Sequence, residues 1–114
     1  MQSGFSEQQL KQFERIFYPR AIAVAGASTD QRKMGFLWVA GLLAAGYNGT
    51  VYPVNPSGGE IMNHKIYPRL IDIPGPVDLV ICCIPRTHVL DLLNDCAAKQ
   101  IGAIYFFTAG FRET

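Results

Sequence analysis

Ala21-Ile22-Ala23-Val24-Ala25-Gly26-Ala27-Ser28 runs into the mostly polar loop Thr29-Asp30-Gln31-Arg32-Lys33, after which Gly35 opens an apolar helix. A short apolar run, a glycine turn and a helix start make the first strand–turn–helix unit of a nucleotide-binding sheet. Such a turn aims backbone N–H groups and the positive end of a helix at phosphate. The loop departs from the dinucleotide pattern G-x-G-x-x-G, which needs a second glycine where Ser28 stands and a third where Gln31 stands. The spacing therefore argues for a phosphate-bearing ligand other than NAD.

The rest of the chain alternates strands with helices. Ser6 with Glu7 and Gln9 reads as the capped start of a leading helix within residues 1–18, with Leu10, Phe13, Ile16 and Phe17 at helical spacing. That spacing predicts one apolar face packed on something. Strands are expected over 21–25, 49–54, 78–84 and 103–107, with Lys65-Ile66-Tyr67 as a short additional one. The run Leu79-Val80-Ile81-Cys82-Cys83-Ile84 is apolar throughout, as befits a central parallel strand covered on both faces. Helices are expected over 35–45, closed by Gly46, and after Pro85, with Val89, Leu92, Leu93 and Cys96 as the inner stripe of the latter. The expectation is an α/β fold, a Rossmann-like doubly wound parallel sheet of about five strands in the order 3-2-1-4-5 with an extra N-terminal helix. Residues 1–114 then form one domain, in its own right or as a piece of a longer chain.

Composition narrows the partners. The net charge is +1 and 49% of residues are hydrophobic, which gives no general attraction to nucleic acid or acidic membranes. Any anion site must be local. Cys82, Cys83 and Cys96 fit neither a metal pair nor a disulfide framework, and adjacent Cys82 and Cys83 should face opposite sides of the sheet. The apolar stretch 34–45 is too short for a membrane span, and no secretory signal is visible, so a cytoplasmic protein is expected.

In open parallel sheets, ligands bind beyond the carboxyl ends of the strands. Four segments converge there. The first is Gly26, Ala27, Ser28, Thr29, Arg32, Lys33, Met34 and Gly35; the second is Val54, Asn55 and Pro56. The third is Ile84, Pro85 and Arg86, and the fourth Thr108, Ala109 and Gly110. Ser28 and Thr29 supply hydroxyls, Arg32 and Lys33 local positive charge. Where an NAD site wants an acid to hold a ribose hydroxyl, this chain has Asn55.

The stretch Phe17-Tyr18-Pro19-Arg20-Ala21-Ile22-Ala23-Val24-Ala25-Gly26-Ala27-Ser28 resembles the opening of the CoA-binding domain of NDP-forming acyl-CoA synthetases. These comprise the ADP-forming acetyl-CoA synthetases and the succinyl-CoA synthetase α-subunit. Tyr52-Pro53-Val54-Asn55-Pro56, the Asp78-Leu79-Val80-Ile81 strand ending in Ile84-Pro85, and Thr108-Ala109-Gly110-Phe111 continue the likeness in order. The resemblance implies that Ser28, Thr29, Lys33, Met34 and Gly35 grip the phosphates of coenzyme A. It implies that Val54, Asn55 and Pro56 flank the nucleotide, while Ile84, Pro85, Arg86, Thr108, Ala109 and Gly110 line the pantetheine path. Arg32 is a candidate for the 3′-phosphate on charge alone. The same domain also occurs alone in small CoA-binding proteins and fused to acetyltransferase modules.

Family synthetases pass phosphate through a histidine on a following domain, supplied by an ATP-grasp domain. Here only His64 and His88 are present, and neither stands in a matching context. His64 reads as an exposed loop residue, His88 as a helix-surface residue. No serine or cysteine has a visible base partner, no metal spacing exists, and Asp91 and Asp95 read as solvated carboxylates. The chain is expected to bind coenzyme A or acyl-CoA without catalysing alone, beside further synthetase domains or subunits or as a homo-oligomer. An NAD(P)-binding domain of a redox sensor or dehydrogenase, and a stand-alone regulatory CoA-binding protein, are the alternatives.

Overall fold

Strand β1 (Ala21–Ala25) is buried at every position, because the sheet closes over it on both sides. In the computed structural model, which describes residues 6–107, β2 (Thr50–Val54), β5 (Leu79–Cys82) and β6 (Ala103–Phe106) complete a parallel sheet in the order β2-β1-β5-β6. The alternation of side chains separates two cores. Ala23, Ala25, Val80 and Cys82 face Leu92 and Cys96 of helix α3 (Val89–Lys99), together with Leu70, Ile73 and Val77. Ile22, Val24, Leu79 and Ile81 face the side covered by helix α2 (Met34–Ala44), whose Val39 is fully buried. Cys82 packs in the first core and Cys83 against the second, as expected of neighbours near a strand end. Gly46, at φ +76°, follows the cap of α2.

Among the described residues the sheet has four strands where about five were expected. Residue Tyr67 does reach the outer edge of β2, but as a single parallel bridge to Val54. Its N–H donates to the Pro53 carbonyl and its carbonyl accepts from the Asn55 N–H, both at 2.9 Å. The ladder stops there because Pro53 presents its side of the strand outward without an N–H. Upstream, β3 (Glu60–Ile61) and β4 (His64–Lys65) form an antiparallel hairpin, turned through Met62 and Asn63 at φ 49° and 67°. His64 is thus a half-buried hairpin residue, not a loop residue, its Nδ1 2.9 Å from the Met62 carbonyl.

Helix α1 (Glu7–Phe17) begins with a capping box in which the Ser6 hydroxyl accepts from the Gln9 N–H, and the Gln9 side chain accepts from the Ser6 N–H. Among the described residues none of α1 is fully buried: Ile16 is half-buried, and Leu10 and Phe17 are 45% and 70% exposed. What fastens α1 is polar. Arg15 Nε donates to Asp78 Oδ1 at 2.8 Å, and its Nη2 donates to the Val77 and Gln100 carbonyls at 3.1 Å. Asp78 Oδ2 also accepts the backbone N–H groups of Arg20 (2.8 Å) and Ala21 (3.3 Å). One carboxylate therefore ties α1, the entry to β1 and the entry to β5.

In α3 the inner stripe differs from expectation at two positions. Leu93 is 38% exposed, and Asp95, expected to be solvated, is 9% exposed. Asp95 tolerates this position because it is paired, as described below.

Partial burial pushes the Asp78 carboxyl up, but the Arg15 bond and the backbone donors outweigh it and hold the group below its ordinary 3.8. A depressed carboxyl stabilises the fold above its unfolded pKa, and that contribution disappears as pH falls through the folded value. Urea unfolding should therefore show stability dropping as pH is lowered below about 4. Asp78→Asn should flatten that drop and cost roughly 1.5–3 kcal/mol at pH 7.

Candidate functional site

The turn after β1 is built by a glycine that no other residue can replace. Gly26 sits at φ +90°, and a Cβ there would lie 2.7 Å from the Cys83 carbonyl oxygen. Its N–H and that of Ala27 both donate to the Val54 carbonyl, at 2.8 and 3.1 Å. Asn55 completes the clamp: its Nδ2 donates to the Ala27 carbonyl and its Oδ1 accepts from the Ser57 N–H, both at 2.9 Å. The loop is thereby sewn to the end of β2.

Helix α2 then starts hard against this turn. A Cβ on Gly35 would fall on the Gly26 carbonyl oxygen. The two glycines supply the tight turn and the close helix approach that the dinucleotide pattern obtains from its first and third glycines, at a different spacing. Lys33 is the N-cap and makes no side-chain cap bond. Among the described residues the N–H groups of Ser28, Met34 and Gly35 have no acceptor, while those of Phe36 and Leu37 donate to the Lys33 carbonyl. Free donors, the positive helix end and the Lys33 ammonium share one spot.

That spot opens on a cavity of about 660 Å³, within the range of small-molecule sites. Of the expected residues, Gly26, Ser28, Lys33, Met34, Gly35, Val54, Asn55, Pro56, Ile84 and Pro85 line it. Ala27 does not; it is fully buried and acts as the anchor for Asn55. Thr29 and Arg86 are exposed and stand outside the lining. Arg32 is also outside, engaged by Asp30 at 3.0–3.1 Å through both its Nε and Nη2. Thr108, Ala109 and Gly110 lie outside the described residues.

The opposite wall, apart from the placing of His88 near the crevice, was not legible in the sequence. Pro68, Arg69 and Leu70, beside a 3₁₀ turn (Leu70–Asp72), meet His88, Asp91, Leu92, Asn94 and Asp95 of the α3 side. Arg69 Nη2 donates to Asp95 Oδ1 at 2.7 Å, with Nε 3.4 Å from Oδ2, and the Arg69 N–H donates to Asp72 Oδ2 at 3.0 Å. A signal was available: Asp95 lies three residues beyond the buried Leu92, on the inner side of α3, where a carboxylate implies a cationic partner. Cys83 also borders the cavity, but burial pushes its thiol up to about 11, so it stays protonated and weakly nucleophilic. Among the described residues no cluster of histidine, cysteine and carboxylate groups could hold a metal ion.

A family described as CoA binding domain matches residues 20–114. An ADP-forming acetate–CoA ligase II of Archaeoglobus fulgidus is 40% identical over 98 residues, covering 86% of this chain and 15% of its own length. The α-subunit of an ADP-forming acetate–CoA ligase II of Pyrococcus furiosus is 42% identical over 99 residues, covering 87% of this chain and 21% of that one. The structure of the dinucleotide-forming acetyl-coenzyme A synthetase 1 of Ca. Korarchaeum cryptofilum, in complex with phosphate and ADP, superimposes with a TM-score of 0.75. It is 42% identical and covers 78% of this chain and 19% of that one. The chain spans about a seventh to a fifth of the length of these relatives.

The close approach of α2 makes a specific stability contrast. Gly35→Ala should cost about 1–3 kcal/mol, the scale of overpacking a well-filled core. A Cβ on Gly41, in the same helix, meets nothing within 4 Å, so Gly41→Ala should instead stabilise by about 0.5–1 kcal/mol. Equilibrium urea unfolding of the two variants distinguishes them.

Proposed function

The chain belongs to the family of CoA binding domains, and on that premise we propose that it holds coenzyme A in this cavity for an ADP-forming acyl-CoA synthetase system. The observation that carries the reading is the meeting, in the loop after β1 and the first turn of α2, of donors that have no acceptor among the described residues. Ser28, Met34 and Gly35 offer N–H groups beside the Lys33 ammonium, inside the cavity. A pyrophosphate carries the acceptors that these donors lack, and the helix end adds favourable charge.

The remaining lining fits the rest of such a ligand. Val54 and Pro56 give apolar flanks for the nucleoside, and Ile84 and Pro85 give a smooth path for an uncharged amide arm. Arg32 is committed to Asp30, so Lys33 is the principal cation of the phosphate end. A nicotinamide dinucleotide is less well served. Nothing acidic closes β2, and the amide of Asn55 is already spent on Ala27 and Ser57.

The chain's own residues bind and orient. Acyl and phosphoryl transfer belong, in this proposal, to further domains or subunits of the system, including a phosphohistidine domain and an ATP-grasp domain. A cytoplasmic setting goes with the free cysteines; among the described residues no helix is long and apolar enough to cross a membrane.

Calorimetric titration with coenzyme A, acetyl-CoA, ADP and NADH tests the reading. Coenzyme A should bind far more tightly than NADH, and at a hundred times its dissociation constant it should stabilise the fold by about 2.7 kcal/mol. Lys33→Ala should weaken coenzyme A by roughly 1.5–3 kcal/mol, the scale of a charge-assisted bond. Equal affinities for coenzyme A and NADH would refute the proposal, and an unchanged affinity in the variant would remove Lys33 from the site.

A further inference from the structure

We propose that Arg69 is the base-binding residue of this cavity, its guanidinium held flat by Asp95 as a platform on which the adenine of the ligand stacks. This rests on the coenzyme A reading and assigns the end of the cavity that the phosphate site leaves open.

Position comes first. In doubly wound sheets the pyrophosphate sits at the first helix and the nucleoside lies over the end of the second strand. Here the Tyr67 bridge to Val54 brings the chain to the outer side of β2, so that Pro68 and Arg69 follow directly beyond that strand's end. Lys33 belongs to the helix on one face of the sheet, and Asp95 to the helix on the other. A ligand anchored at Lys33 and crossing the end of β2 arrives at Arg69.

Chemistry decides what it meets there. Asp95 takes both Nε and Nη2 of Arg69 along one edge of the guanidinium, which fixes the plane, and among the described residues no aromatic ring lies over it. The Arg69 side chain is still 62% exposed, whereas that of Asp95 is 12% exposed. A guanidinium fixed in this way stacks well on a planar ring. Pro68, Leu70 and Leu92 add apolar contact around it. A phosphate would fare worse at this end. Asp95 already neutralises Arg69, Asp72 holds its backbone N–H, and Asp91 also lines the cavity. An uncharged base with exocyclic N–H donors meets no such repulsion. Asp95 acts as the positioning residue, through Arg69.

The experiment compares three ligands on the wild type, Arg69→Ala, Arg69→Lys and Asp95→Asn by calorimetry. The ligands are coenzyme A, dephospho-CoA, which keeps the adenine but lacks the 3′-phosphate, and 4′-phosphopantetheine, which lacks the nucleoside. Arg69→Ala should weaken coenzyme A and dephospho-CoA alike, by roughly 5- to 30-fold, and leave 4′-phosphopantetheine unchanged. Arg69→Lys, which keeps the charge beside Asp95 but has no plane, should lose nearly as much. Asp95→Asn should lower the ratio of coenzyme A to 4′-phosphopantetheine affinity in the same direction. A loss seen with coenzyme A and not with dephospho-CoA would make Arg69 a 3′-phosphate ligand and overturn the proposal. A loss shared by all three ligands, or full retention in Arg69→Lys, would also overturn it. Wild-type binding of coenzyme A with no change in Arg69→Ala refutes this inference alone; a wild type that binds none of the three refutes the coenzyme A reading beneath it.

Discussion

Everything in this protein is arranged around one backbone contact: the first turn of α2 resting on the peptide of Gly26. Neither partner has room for a side chain, since a Cβ on Gly35 would occupy the Gly26 carbonyl and a Cβ on Gly26 would press on Cys83. The contact aims the helix axis at the carboxyl end of the sheet. It leaves the first amides of α2 facing a cavity instead of a neighbouring chain segment. A near-neutral protein thus concentrates positive potential at one place without a basic surface.

The cavity is polar in a directional sense. At the α2 end stand donors and an ammonium that have no partner among the described residues; at the α3 end stand Asp91, Asp95 and an arginine already shared with a carboxylate. Between them run apolar residues from the ends of β2 and β5. Such a layout suits a ligand whose phosphates meet the α2 end and whose uncharged ring meets the α3 end. The partly buried Asp95 is tolerable because Arg69 compensates it; unpaired, a carboxylate at 9% exposure would be costly.

The opposite end of the sheet shows how a loosely packed helix is retained. Helix α1 buries nothing among the described residues, yet Asp78 joins it to the starts of β1 and β5 through a charged bond and two backbone amides. This polar anchoring sits far along the strands from the cavity. Binding and anchoring therefore occupy separate ends of β1.

Local pattern was enough to determine the alternation of strands and helices, the two-sided burial of β5, the glycine turn and the cap of α1. Each depends on residues adjacent in the chain or at a fixed period, so β1 and the loop to Gly35 were legible as written. The lone Tyr67 bridge replacing a strand was harder, because it turns on which edge Pro53 presents. The wall formed by Arg69, Asp91, Asn94 and Asp95 was illegible for a related reason. Arg69 and Asp95 are distant in sequence, and Asp95 looks like any surface helix carboxylate until packing turns it inward. Arg32 and Lys33, equal as adjacent cations in the sequence, part company only in three dimensions, where Asp30 engages the first and leaves the second at the cavity. Periodicity and turn chemistry are local and can be read along a chain, whereas pairing of charges across a cavity exists only after the sheet has brought remote segments together.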